Sequence, residues 1–361
     1  MTVAHEALDW LRLYRSENVG PATFFRLIER FGTPTKALDA LPDLAGHGGK
    51  RIAPYPKDAA ERELAALHRI GAQLLLASDP DFPEALRALE VTPLLSVLGD
   101  PELLTRPSVA IVGGRDASLN GRKIAHSMAA DLGAAGHIVV SGLARGIDTA
   151  AHQGGLATGT VAVLAGGVDH IYPPENARLH AAIVGSGCVV SEMPPGFVPT
   201  AQHFPRRNRL IAGLAQSVVL IEAKVKSGSL ITARFALEQG RELFAVPGSP
   251  LDPRSAGCNA LIKQGAMLAE SAEDIILALD LLPGLKAAPR TPAAPIPVQD
   301  AKSLSDAQKS VLSLLTVTAV TVDEILRQCQ LSPSVLSLIL LELELAGRLE
   351  RHPDMSVSLR A

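Results

Sequence analysis

At 361 residues, 47% of them hydrophobic and 20% charged, the chain has globular composition and enough length for two or three domains. A formal net charge of -3 excludes a histone-like binder coated in positive charge, so any nucleic-acid site must be a local patch. Aromatic residues make up only 3%, which argues against a protein that binds bases chiefly by stacking them on its own rings.

The chain opens Met1-Thr2-Val3-Ala4-His5-Glu6, with an acid before any apolar stretch, which is unlike a signal peptide. No apolar run is long enough to span a bilayer, so the expectation is a cytoplasmic protein with no membrane partner. Leu8, Leu11 and Leu13 begin an amphipathic helix that stops at Asn18-Val19-Gly20-Pro21, and residues 23–31 form a second, with Phe24, Leu27, Ile28 and Phe31 on one face. Helix, Val-Gly-Pro turn, helix is the pattern of a helix-hairpin-helix or sterile-alpha-motif-like unit, expected over residues 1–55. The amides of such a turn can grip a DNA phosphate, but only Arg15 and Arg26 stand near it, which favours a plain packing module. A Gly/Pro-rich break at 46–56 ends the unit. A helix at about 57–70 and short apolar runs at 74–77 and 94–98 follow.

From Ser108 the pattern alternates regularly. Apolar, β-branched runs at 109–112, 138–140, 161–164, 189–190, 218–221 and 243–246 are separated by helical segments at 121–135, 148–157, 176–183, 208–215 and 230–239. Near-continuous apolar strands with intervening helices predict a parallel sheet covered on both faces, an extended Rossmann-like doubly wound α/β domain over 56–283. Residues 281–303 are rich in Pro and Ala, and a semi-extended linker is expected over 284–303. Beyond it, helices at 306–315, 322–328 and 333–346 and a closing alternation at 355–359 describe a winged helix. Its 58 residues from Leu304 hold five Lys/Arg against seven Asp/Glu, and Glu342 and Glu344 stand on the third helix without a cation; such a helix repels phosphate and suits protein contacts. Cys188, Cys258 and Cys329 are far apart with no CxxC or Cys/His cluster, so no disulfide framework, metal site or cofactor is expected.

Three loops share one design, each following a strand, carrying Gly and preceding a helix. They are Gly113-Gly114-Arg115, Ser141-Gly142-Leu143-Ala144-Arg145-Gly146, and the stretch Lys224-Val225-Lys226-Ser227-Gly228-Ser229-Leu230-Ile231-Thr232. In doubly wound sheets ligands collect at the carboxyl ends of strands, where glycine admits backbone amides to an anion and a helix N-terminus adds favourable charge. The run Phe204-Pro205-Arg206-Arg207-Asn208-Arg209 adds three guanidinium groups ahead of an apolar helical segment. Arg115, Arg145, Arg206, Arg207, Arg209, Lys224 and Lys226 facing one pocket would call for a polyanion, because unpaired cations around a buried site are costly. For any single arginine a surface ion pair is an equal alternative; the convergence on one sheet edge tips the balance. The first loop is not GxGxxG, no ribose-binding acid follows at Val140, and no P-loop is present, so dinucleotide and P-loop ATP binding are disfavoured. Asp148 is expected to cap its helix and His152 to pack on a neighbouring loop, while Glu192 and Glu222, at strand ends, are expected to brace arginines.

Taken in order, these motifs resemble the DprA/Smf family of DNA-processing proteins over nearly the full length. The resemblance is carried by Ile111-Val112-Gly113-Gly114-Arg115, by 141–148 with Ala151-His152, by Ile171-Tyr172-Pro173-Pro174-Glu175-Asn176, by Ser191-Glu192-Met193-Pro194, and by 204–213, 227–233 and Ala245-Val246-Pro247-Gly248. It implies a Rossmann domain that forms a homodimer, binds single-stranded DNA in a basic pocket and loads a RecA-type recombinase in natural transformation. Double-stranded DNA and a single-strand-binding protein are further partners it leaves open. The pocket residues it implies here are Arg115, Ser141 to Gly146, Arg207 and Arg209, and the 224–232 loop; Gly114 stands where the family usually has Ser. The fold also resembles lysine-decarboxylase-like nucleotide hydrolases, the alternative being a nucleotide-binding or N-glycosidase-like enzyme. With Thr232 on the Thr of their Gly-x-Gly-Thr-x-x-Glu motif, the catalytic Glu falls on Phe235, so no catalytic residue is expected.

Overall fold

The computed structural model describes residues 2–46, 53–281, 301–329, 331, 333–352 and 356–360. It divides into two compact units: the described residues of 1–61 with those of 290–361, and the described residues of 62–289.

Three helices open the chain, α1 (Thr2–Arg15), α2 (Pro21–Phe31) and α3 (Pro34–Gly46), of which α3, with Pro42 inside it, has no counterpart in the sequence reading. They meet around Phe24, whose ring lies 5.0 Å from Trp10 and 6.1 Å from Tyr14. Helix α4 (Lys57–Arg69) leads into the second unit.

There, nine strands form one sheet. In chain order the elements are β1 (Gln73–Leu76), α5 (Glu84–Ala88), β2 (Leu94–Gly99), β3 (Ser108–Gly113), α6 (Leu119–Ala134), β4 (Ile138–Ser141), α7 (Ile147–Gly155), β5 (Thr160–Val163), α8 (Ala177–Ser186) and β6 (Cys188–Ser191). Then come α9 (His203–Leu214), β7 (Ser217–Ile221), α10 (Ser229–Glu238), β8 (Glu242–Ala245), α11 (Ala256–Lys263), β9 (Met267–Leu268) and α12 (Ala272–Leu281). The strand order is β1-β2-β6-β5-β4-β3-β7-β8-β9, parallel from β6 to β9, with the β1–β2 hairpin added antiparallel at one edge. The central strands are buried on both faces: Val109, Ile111, Val139, Val219 and Ile221 pack under α6 and α7, and Ala162, Leu164 and Val189 form part of a second cluster. From β3 the chain builds β4, β5 and β6 to one side, then returns to lay β7 on the other side of β3. The loops leaving β3 and β7 therefore diverge and open a crevice between their carboxyl ends, the position at which doubly wound sheets bind ligands.

The C-terminal module comprises α13 (Ala301–Leu314), β10 (Val320–Thr321), α14 (Val322–Cys329), α15 (Pro333–Leu345), β11 (Leu349–Arg351) and β12 (Ser356–Leu359), a winged helix around Val311, Ile325, Leu336, Ile339 and Leu343. Of the expected linker, 284–300 lies outside the described residues, and 301–303 belong to α13. The terminal modules, read from the sequence as separate, belong to one unit. Glu344 of α15 pairs with Arg26 of α2 at 2.8 Å and accepts from the Thr23 hydroxyl at 3.2 Å, while Asn18 Nδ2 donates to the Leu345 carbonyl at 2.9 Å. The turn between α1 and α2 thus spends its Asn18 side chain on the winged helix.

Candidate functional site

A cleft of about 700 Å³ occupies the crevice between β3 and β7. Gly113, Gly114 and Arg115 form one lip and Lys224, Lys226 and Ser227 the other. A side chain on Gly114 would come within 2.7 Å of the Glu222 carbonyl, so glycine there lets the two strand exits lie side by side. The first turn of α10, with Ser229 and Thr232, points its N-terminus into the cleft, and its cap Gly228 offers no side-chain acceptor to those amides.

The far wall is α9. The helix begins at His203, so the arginine run lies inside it rather than ahead of it. Phe204, Arg207, Asn208 and Ile211, at helical spacing, face the cleft. Arg207 is buried: its Nη1 donates to the Gly142 carbonyl at 2.8 Å and also to the Val163 carbonyl, tying the ends of β4 and β5 together. Burial draws its pKa down to about 10 against the pull of nearby Asp148. Asn208 Nδ2 donates to the Gly228 carbonyl at 3.3 Å, linking α9 to the third glycine loop.

Arg209, two residues on, is turned away from the cleft. Its guanidinium pairs with buried Glu192 and donates to the Val91 carbonyl, so Glu192 does brace an arginine. Arg206 is exposed and does not line the cleft. Arg145 lies in a neighbouring depression, paired with Glu175 at 3.2 Å, because Gly146, at φ +78°, redirects the chain after it. Four of the seven cations grouped from the sequence, Arg115, Arg207, Lys224 and Lys226, therefore line the cleft, and three do not.

The second loop acts from behind. Ser141 is buried, its hydroxyl donating to the Ile111 carbonyl at 2.6 Å, and Gly142 lies against the Arg207 guanidinium, where a methyl group would sit 2.6 Å from Nη2. Asp148 is not the helix cap: Gly146 holds that position, and Asp148 Oδ2 instead accepts from the amides of Gly142 at 3.1 Å and Ala144 at 3.3 Å. Burial raises the Asp148 pKa, opposed by the Arg207 charge and these amides. His152 packs beneath the sheet rather than on a loop. Its Nδ1 lies 2.8 Å from Thr160 Oγ1, which itself donates to the Val139 carbonyl at 2.6 Å, so Nδ1 carries the imidazole proton. Burial pushes the His152 pKa down to about 3, so it is neutral at pH 7. Glu222 was expected to brace an arginine, but among the described residues it makes no ion pair or hydrogen bond with one; it accepts from the backbone amide of Ser118 at 2.7 Å and from its hydroxyl, fixing the β7 exit to the start of α6.

Facing the cleft are five cations, Arg115, Arg207, Lys224, Lys226 and Arg254, against the carboxylates Asp116, Asp148 and Glu222. Lys224 stands 3.8 Å from Asp116, and Arg254 pairs with Asp252 at 2.8 Å. Among the described residues Arg115 and Lys226 have no ion-pair partner. Arg254, Tyr172 and the ring of Phe204 line the cleft although the sequence alone did not assign them to it. The Arg115 guanidinium lies 5.5 Å from the Phe204 centroid, and that ring lies 5.3 Å from Tyr172, which is 42% exposed. Aromatics are rare along the chain, yet two of them meet here.

The family model described as DNA recombination-mediator protein A matches residues 73–280. Models described as a DprA-like N-terminal HHH domain and a DprA winged helix domain match 4–66 and 291–355. The DNA processing protein DprA of Bacillus subtilis is 43% identical over 225 residues, 61% of this chain and 75% of the relative. The X-ray structure of DNA processing protein A from Streptococcus pneumoniae superposes with a TM-score of 0.65 at 35% identity, covering 77% of this chain and 97% of that one. That of Helicobacter pylori, described for its single-stranded DNA binding mode, gives 0.53 at 30% identity over 58% of this chain and 96% of its own. Among the described residues no helix is long and apolar enough to cross a membrane, and no group of three metal-ligating side chains occurs.

Proposed function

Since the chain belongs to the DprA/Smf family of DNA-processing proteins, we propose that the cleft at the β3–β7 crevice holds single-stranded DNA by its phosphates. The observation that carries this is the pairing of Arg115 and Lys226, neither with an ion-pair partner among the described residues, on opposite lips with the N-terminus of α10 between them. The protein acts by binding. Its inner carboxylates, Asp148 and Glu222, are committed to backbone amides, and Phe235 stands where the related hydrolases carry their acid. Phe204 and Tyr172 form a small apolar ledge beside Arg115 on which one or two bases rest, which suits a strand whose bases are free and disfavours a duplex.

The wider role, handing the bound strand to a RecA-type recombinase as a homodimer built on the sheet domain, rests on family membership, as does the involvement of a single-strand-binding protein. Binding of single-stranded, double-stranded and mononucleotide ligands, each titrated with salt, tests the central reading. Each phosphate contact on a single strand contributes about 0.7 to the log–log salt slope, so Arg115, Lys224 and Lys226 together account for a slope of about 2. Arg115→Gln with Lys226→Gln lowers affinity and flattens the slope. Unchanged binding by that variant, or a mononucleotide that competes tightly with the oligonucleotide, refutes the assignment.

A further inference from the structure

Beside the cleft lies a second depression of about 570 Å³, and Arg115 is a wall of both. Its two sides are helix faces: Leu119, Arg122, Lys123 and His126 of α6, and Thr149 and Gln153 of α7. Residues three, four and seven apart share a face, so each set is one stripe. A methyl group at Gly154 would strike the His126 carbonyl, so α7 approaches α6 at backbone distance and the groove between them is firm.

The groove is unbalanced in charge. Arg115, Arg122, Lys123 and Arg145 face it against one carboxylate, Glu175, which Arg145 already engages at 3.2 Å. Among the described residues neither Arg122 nor Lys123 has an ion-pair partner. Both stand near the N-terminus of α6, whose own first turn carries no acid; the Glu222 carboxylate meets that helix end at Ser118, without lining the groove. Cations at that end of a helix raise the local potential, and an anion seated along the groove relieves it.

We infer that the groove is a second phosphate lane: a single strand leaving the cleft crosses Arg115 and continues between α6 and α7. The inference rests on the single-strand reading of the cleft and adds its direction of travel and the length of strand covered. The lining supplies charge and backbone, so the contacts are to phosphate and independent of sequence.

Fluorescence anisotropy with oligothymidylates of increasing length, at several salt concentrations, tests it on the full chain and on the Arg122→Gln/Lys123→Gln variant. Both positions are exposed, so the variant folds, which its circular dichroism melting curve verifies. Short oligonucleotides that fill only the cleft bind both proteins equally, and beyond a threshold length only the natural chain gains further affinity. Loss of two phosphate contacts lowers the long-oligonucleotide slope by about 1.4, so between about 50 and 200 mM salt the natural chain weakens about sevenfold more than the variant. Equal length dependence and equal slope overturn the inference. So does an equal loss at every length, which marks a general field effect. Lys226→Gln separates the two sites, because it weakens short and long oligonucleotides alike. A natural chain that binds no oligonucleotide at any length refutes the cleft reading and the lane with it.

Discussion

Arg207→Met is the most searching substitution at the site, because Arg207 serves the fold from within the cleft. Its guanidinium donates to two carbonyls at the ends of β4 and β5, Gly142 and Val163. Charged hydrogen bonds are worth about 1.5–3 kcal/mol each, so methionine, which keeps the stem volume, costs about 3–6 kcal/mol. It also removes the positive charge that opposes the burial cost of Asp148. Asp148→Asn alone stays within about 1 kcal/mol of the natural chain, since both amides converge on one oxygen that asparagine retains, and relief of carboxylate burial offsets the lost attraction. In the Arg207→Met background the same change removes an uncompensated buried charge and recovers about 1–2 kcal/mol. Urea unfolding of the four proteins at pH 7, followed by far-ultraviolet circular dichroism, measures the cycle. Additivity within about 0.5 kcal/mol would show that Asp148 and Arg207 do not act together and would refute the reasoning.

Gly146→Ala forces a methyl group into the Gly114 carbonyl at a φ of +78° and costs at least about 1–3 kcal/mol, read as a lowered melting temperature. His152 makes stability pH-dependent. Its folded pKa of about 3 lies below the unfolded value, so the unfolded chain takes up the proton first as pH falls. Its stabilising contribution, fully present above about pH 6.5, declines toward pH 3, and about 2 kcal/mol is lost by pH 5. His152→Gln flattens that decline in unfolding free energy measured against pH; an unchanged profile counts against the assignment.

Strands β3 to β8 were legible because each is a near-continuous apolar run, the signature of a sheet covered on both faces. The edges were not. β9 is two residues long, and the β1–β2 hairpin pairs antiparallel through runs that also fit a buried helix segment. The cleft was legible as a region, since its glycine loops follow strands, but the sequence reading sent too many arginines into it. The cause is the start of α9: with the helix beginning at His203 rather than Asn208, 204, 207, 208 and 211 fall on one face while 206 and 209 fall elsewhere. Phe204 stands in a run marked by arginines and Tyr172 in one marked by prolines. Their proximity comes from tertiary structure, across 32 positions of chain, and no local pattern signals it.

The unit formed by the two ends of the chain has a consequence for how the polypeptide is made. Arg26 and Asn18 emerge early in synthesis, and their partners on α15, Glu344 and Leu345, emerge more than 300 residues later. The described residues of the intervening 62–289 form a compact unit with its own core, able to condense while the first helices still lack their winged-helix neighbour. Closing so long a loop is slow and comes last. The seam at Glu344 therefore closes only after the sheet unit has been made: a polypeptide broken off before α15 retains the sheet and its cleft but leaves the α2 face around Arg26 without its winged-helix neighbour, a surface by which it differs from a chain that carries α15.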